Sequence, residues 1–182
     1  MSPASSPSPR IRELISAEAL ARRVAELGRE ITTSLPPGPL TVVGVLRGAF
    51  IFMADLVRAI PRELTCDFLG VRSYGDATVS SGVVEITSDL SAPVAGRHVL
   101  LVEDIADTGL TMRYLLELLH ARGPASLHTC VLLAKPTLRD GPVKVDFVGF
   151  DAPEAFVVGY GLDAAQIHRN LPFVGVLEEG AS

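Results

Sequence analysis

Val99-Leu-Leu-Val-Glu-Asp-Ile-Ala-Asp-Thr-Gly-Leu-Thr111 is the stretch on which the reading of this chain turns. Val99 to Val102 is an apolar run of the kind a buried strand of a parallel sheet shows. Two carboxylates, Glu103 and Asp104, follow without a break. An unpaired carboxylate is costly to bury, so the strand is expected to end here and present both acids at its carboxyl edge. Asp107-Thr108-Gly109-Leu110-Thr111 comes next. Beyond it, Met112, Leu115, Leu116 and Leu119 keep the i, i+3, i+4, i+7 spacing of a helix with one core-facing stripe.

A strand, a short loop and a helix start make an anion site. The first helical N–H groups have no partner within the helix, and the macrodipole adds partial positive charge there. Gly109 permits the tight path, and the hydroxyls of Thr108 and Thr111 can donate to phosphate oxygens. No G-x-x-x-x-G-K motif is present, which excludes a nucleoside-triphosphate P-loop. Glu103 and Asp104 would repel a phosphate, so the ligand needs two chemistries. A ribose 5-phosphate has both: a phosphate for the loop and hydroxyl donors for the carboxylates.

Val102-Glu-Asp-Ile-Ala-Asp-Thr-Gly-Leu-Thr111 resembles the phosphoribosyl pyrophosphate (PRPP) motif of the type I phosphoribosyltransferase family, and most closely its hypoxanthine-guanine branch. The resemblance runs from about Leu40 to Leu177. It implies an α/β fold, a mainly parallel sheet flanked by helices with a small hood for the base. It also implies transfer of the 5-phosphoribosyl group of PRPP to hypoxanthine or guanine with Mg²⁺. By the same resemblance, Glu103 and Asp104 hold the sugar hydroxyls or their metal, Asp107 is the general base, and Thr108, Gly109, Leu110 and Thr111 hold the 5-phosphate. Its neighbouring phosphate and partial burial are expected to raise the proton affinity of Asp107. Leu110 stands where relatives often carry lysine.

Other segments agree. Leu40 to Leu46 reads as a buried strand, Arg47-Gly48 as a turn and Phe50 to about Ile60 as an apolar helix. An arginine at such a turn can grip phosphate bidentately, and the resemblance makes Arg47 and Gly48 the pyrophosphate loop, with a cis peptide between Leu46 and Arg47. Many relatives have lysine in place of Arg47. Thr65 to Arg72 and Val83 to Leu90 read as an outgoing and a returning strand, and Ser73-Tyr74-Gly75 resembles the lid that keeps water from a reactive sugar cation. Leu127 to Ala134 is a strand ending at Lys135, which by resemblance donates to the 6-oxo group of the purine. Val145 to Phe150 and Phe156 to Tyr160 are further strands. In the base-binding segment Phe156 would stack on the purine, the Val157 backbone would read its edge, and Asp163 would meet Mg²⁺. Arg169 matches a late pyrophosphate-binding arginine, and Val174 to Leu177 is a closing strand.

The N-terminal part carries no chemistry. Residues 1–10 are expected to form a disordered tail and 11–182 a single domain. Ser16 is a candidate cap for a helix with the stripe Leu20, Val24, Leu27 and Ile31, stopped by Pro36-Pro37-Gly38-Pro39.

The bulk figures set limits. A chain of 182 residues with 48% hydrophobic residues suits one domain with a sizeable core. A net charge of −5 argues against nucleic acid as the main partner. No apolar run approaches the ~20 residues of a membrane span, and Met1 to Arg10 lacks the apolar core of a secretory signal, so a cytoplasmic protein is expected. Cys66 and Cys130 sit in strand-like runs and read as reduced, packed thiols. His98, His120, His128 and His168 have no metal-ligand spacing. The family forms homodimers and homotetramers, and either assembly is expected. A regulator that only senses PRPP would share the central motif but would not need Asp107 or the base-binding segment. Xanthine remains an alternative acceptor.

Overall fold

The structure is a computed structural model that describes residues 10–74, 83–138, 141 and 143–178. Its elements in chain order are β1 (Arg10–Ile15), α1 (Ala17–Ser34), β2 (Leu40–Leu46), α2 (Phe50–Ala59), β3 (Leu64–Tyr74), β4 (Val83–Ser88), β5 (His98–Ala106), α3 (Leu110–His120), β6 (Ser126–Ala134), β7 (Phe147–Asp151), β8 (Val157–Val158) and β9 (Val174–Glu178). A short 3-10 turn, Pro136–Leu138, follows β6. The tip of the β3–β4 ribbon, including Gly75, and the tail through residue 9 lie outside the described residues.

Among the described residues a six-stranded sheet has the order β4-β3-β2-β5-β6-β7. Every neighbouring pair is parallel except β3–β4, which is antiparallel. Strand alternation decides which side chains face which layer. Val42, Leu100 and Val102 pack with Leu20, Leu27 and Ile31 of α1 and Phe52 and Leu56 of α2. Val43, Val45, Val99 and Leu101 face the other way, onto Met112, Leu115 and Leu119 of α3. Both faces are therefore covered, which is why these strands read as continuous apolar runs. Gly28 lets α1 lie directly on α2: a Cβ there would stand 2.3 Å from the Ala59 carbonyl oxygen. Ser16 caps α1 by accepting from the Ala19 N–H.

The hood is a second sheet of order β1-β9-β8, antiparallel throughout. Val157, Tyr160, Leu162, Val174 and Val176 join it to the α1–α2 side of the core. No described helix is long and apolar enough to cross a membrane.

Four expectations change. Arg10, assigned to the tail, opens β1 opposite Glu178; Arg12 also pairs with Glu178 at 2.8 Å. β1 is an edge strand with exposed Arg10, Arg12, Glu13 and Leu14, so it shows no inward–outward alternation in sequence. β5 does not stop before Glu103 but runs to Ala106, because its ladder with β6 continues through Glu103↔Val131, Ile105↔Leu133 and Ala106↔Ala134. Cys130 is buried as expected, but Cys66 is exposed. Finally, β7 starts at Phe147, after Asp146 turns its carboxylate sideways to accept from the Thr129 N–H and hydroxyl.

Candidate active site

The carboxyl ends of four parallel strands supply the site. β2 runs into Arg47 and Gly48, β3 ends at Ser73 and Tyr74, β5 runs into Asp107 and Thr108, and β6 into Lys135. Crevices of open α/β sheets form at such ends, where loops are free of the core.

One cluster forms around Asp104. A Cβ on Gly48 would lie 1.6 Å from Asp104 Oδ2, and a Cβ on Gly161 would lie 2.2 Å from the Gly48 carbonyl oxygen. Three segments thus meet at van der Waals distance, and Gly161 holds a φ of 104° that side chains rarely adopt. The Leu46–Arg47 peptide is cis. Arg169 donates to the Gly161 carbonyl at 2.7 Å and pairs with Asp163 Oδ1 at 2.5 Å. The Gln166 N–H donates to Asp163 Oδ2 at 2.7 Å, and its side-chain oxygen accepts from Arg47 at 3.1 Å. Arg47 is thereby tied to the distant pair Asp163 and Arg169 through one glutamine that the sequence reading did not single out; its place midway between those two residues was the available signal.

Burial decides the charge of the two acids on β5. Glu103 is only 6% exposed. Desolvation, and then the neighbouring Asp104 charge, push its pKa up to about 8. Asp104 is half-buried, and desolvation raises its pKa to about 6; its own and the Ile105 backbone N–H groups and the Arg169 charge pull it down, while the Asp163 charge pushes it up. Successive residues of a strand face opposite ways, so Glu103 shares its face with Val99 and Leu101, and Asp104 is the one against Gly48.

A second cluster forms around Asp107. The Ala106↔Ala134 pairing and the Lys135 N–H donating to the Ala106 carbonyl bring the two strand ends side by side. The Lys135 ammonium donates to Asp107 Oδ2 at 2.9 Å, and the Thr137 hydroxyl to Asp107 Oδ1 at 2.6 Å. These contacts hold the Asp107 carboxyl below its ordinary value, with Thr137 the larger cause. Partial burial alone does not raise its proton affinity: both oxygens meet donors, which favour the charged form. Thr137 was overlooked; a hydroxyl two residues past a strand-end lysine was the available signal.

The loop after Asp107 has the expected shape. Thr108 is exposed, and Gly109 adopts a left-handed φ of 77° as the N-cap of α3 with no side-chain cap. Leu110 and Thr111 open the helix. In the hood, Phe156 is 59% exposed, whereas Val157 is buried and paired with Val176 on β9. Among the described residues no group of three His, Cys, Asp or Glu side chains converges on one cation-sized point, so Glu103, Asp104 and Asp163 do not form an all-protein cage.

Residues 11–165 match the family model described as a phosphoribosyl transferase domain. The hypoxanthine-guanine phosphoribosyltransferase of Bacillus subtilis is 50% identical over 165 residues, covering 91% of this chain and 92% of its own. The hypoxanthine phosphoribosyltransferase of Haemophilus influenzae is 48% identical, covering 91% of this chain and 96% of its own. A crystal structure of a hypoxanthine phosphoribosyltransferase from Staphylococcus aureus superposes with a TM-score of 0.87 at 40% identity, over 92% of this chain and 91% of that one.

Proposed function

The chain belongs to the phosphoribosyl transferase domain family, and from that membership we propose that it is a purine-salvage enzyme acting on hypoxanthine or guanine. The 5-phosphoribosyl group of PRPP passes to the base, giving IMP or GMP and pyrophosphate. The observation that carries this reading is the 2.9 Å pairing of Lys135 with Asp107 across two strand ends, beside an open helix N-terminus. It sets a carboxylate able to take a proton next to a cation able to recognise a 6-oxo group.

Binding comes first. The backbone N–H groups of Gly109 to Thr111 and the hydroxyls of Thr108 and Thr111 take the 5-phosphate. Arg47, the Gly48 backbone and Arg169 take the pyrophosphate. Phe156 stacks on the base, the Val157 backbone meets its edge and Lys135 donates to its 6-oxo group. A 6-amino group offers a donor there instead, and two donors repel.

Asp104 and Asp163 are the residues that would hold Mg²⁺; Glu103, expected to join them, is buried on the opposite face of β5. The fit is that of an ion bound by one or two carboxylates and otherwise by substrate oxygens and water, because the Asp163 charge bears on Asp104 and, among the described residues, no third acidic group converges there. When bound, it neutralises charge on the departing pyrophosphate.

The protein's own part in the chemistry is positioning and proton transfer. The 5-phosphate loop and Asp104 fix the sugar while its anomeric carbon loses pyrophosphate and gains the base nitrogen. Asp107 accepts the proton released from the imidazole ring of the purine. Ser73 and Tyr74 lead into the lid that excludes water from the sugar cation. A homodimer or homotetramer in the cytoplasm completes the proposal; sedimentation of the purified chain reads the assembly.

An ultraviolet assay of nucleotide formation with PRPP and Mg²⁺ tests the reading. Hypoxanthine and guanine are expected to be consumed and adenine not. No turnover of any oxopurine by folded protein overturns it, and preference for xanthine would move the assignment to a different 6-oxopurine.

A further inference from the structure

Asp107 is gripped at both oxygens, and one of the grips has another task. Lys135 holds Oδ2 at 2.9 Å, and Thr137 holds Oδ1 at 2.6 Å. In the function proposed above, Lys135 turns its ammonium to the 6-oxo group of the incoming base. An ammonium has three donors, but a flexible lysine shared between a carboxylate and a base cannot fix the carboxylate's angle. The Thr137 hydroxyl has no substrate to serve: its only other acceptor among the described residues, the Asp107 carbonyl at 3.2 Å, belongs to the same residue. It sits on a short 3-10 turn whose backbone is pinned: the Leu138 N–H donates to the Lys135 carbonyl, and the Gly141 N–H to the Leu138 carbonyl, both at 3.0 Å. Gly141 then packs so closely on the loop after Asp107 that a Cβ there would stand 2.8 Å from the Thr108 carbonyl oxygen. The support for Thr137 is therefore built into the same loop that carries the phosphate site.

We propose that Thr137 is a positioning residue for the general base: it keeps the Asp107 carboxylate aimed while Lys135 is engaged with the purine. This inference rests on the function proposed above. Thr137 touches neither substrate in that scheme; it acts only through Asp107. Its effect therefore belongs to the chemical step, whereas the effect of Lys135 belongs to base binding as well.

The test compares Thr137→Val, Thr137→Ser and the unaltered chain in steady-state and single-turnover kinetics with hypoxanthine, PRPP and Mg²⁺. Valine keeps the shape and removes the donor; serine keeps the donor. Thr137 is exposed, so neither change empties a core position. We expect Thr137→Val to lower kcat by at least about tenfold, the smaller part of what a positioned proton acceptor contributes, with the KM of both substrates changed less than about threefold. Thr137→Ser should restore kcat to within about threefold of the unaltered chain. An unchanged kcat in Thr137→Val, a parallel rise in the KM for PRPP, or a serine variant as impaired as the valine one overturns the inference. Failure of the unaltered chain to form nucleotide would instead overturn the proposed function, so the two failures are told apart.

Discussion

The Gly48 α-carbon lies so close to the Asp104 carboxylate that a methyl group placed on it would stand 1.6 Å from Oδ2. The turn after β2 and the strand β5 are therefore fitted to each other at the point where pyrophosphate and sugar are to be held. Gly48→Ala must push either the acid or the turn aside. A displacement of about 1 Å in a positioning group costs roughly a hundredfold in rate, and we expect kcat/KM for PRPP to fall by that order. The melting temperature should fall little, since the turn lies outside the packed core. An alanine variant with full activity would show that the contact carries no positioning.

Asp107→Asn keeps the shape of the base and removes its capacity to take a proton. Turnover should drop by ~10²–10⁴, the usual contribution of a positioned acid–base group. Calorimetric affinity for PRPP with Mg²⁺ should survive, because the backbone donors of the loop are unaffected. Unimpaired turnover would remove Asp107 from the role of base.

Lys135→Ala removes the base-reading cation and one of the two donors on Asp107. The KM for hypoxanthine should rise by more than about tenfold while that for PRPP changes little, as expected when a hydrogen-bonded recognition group is lost. The second effect has a sign. Lys135 contributes to holding the Asp107 carboxyl below its ordinary value, so its loss lets that value rise. The acid limb of the kcat profile should move to higher pH. Equal losses of affinity for both substrates would exclude base readout by Lys135.

Glu103 gives a prediction for stability. Its pKa is raised from 4.5 to about 8 by burial and by Asp104. Between those values the folded chain binds a proton that the unfolded chain has released. Stability is then lost as pH rises from about 4.5 through about 8. Glu103→Gln keeps the volume and cannot ionise. Its stability should exceed that of the unaltered chain increasingly as the pH rises, by on the order of 2 kcal/mol at pH 9, read as a growing gap in melting temperature. Parallel melting curves across that range would mean that Glu103 is ionised at no cost.

Much of this was legible in residues. Val99 to Val102, Leu40 to Leu46 and the stripe Met112, Leu115, Leu119 are long, periodic signals, and all lie where their pattern placed them. β1 was missed because an edge strand with exposed arginines carries no alternation. The extension of β5 through Glu103 and Asp104 was missed because the cost of burying a carboxylate was weighed without the option of raising its pKa. β8 is only two residues long because Gly159, Tyr160 and Gly161 all take positive φ, a path that a sequence of strand-forming residues does not announce. In the site, single residues such as Lys135 and Arg169 were visible one by one. The contacts that Thr137 makes with Asp107 and Gln166 with Arg47 arise from the tertiary approach of loops, although both residues lie within three positions of a marked one.

The order of strands in the hood has a consequence for how the chain is made. Its middle strand is β9, the last in sequence, whereas the six-stranded sheet is complete at Asp151. On a ribosome, the phosphate-holding half can thus form while the hood's two outer strands still wait for the one that joins them. A nascent chain arrested before Val174 would have the phosphate loop and Lys135 in place but no β9 to seat Phe156 and Val157 over the base.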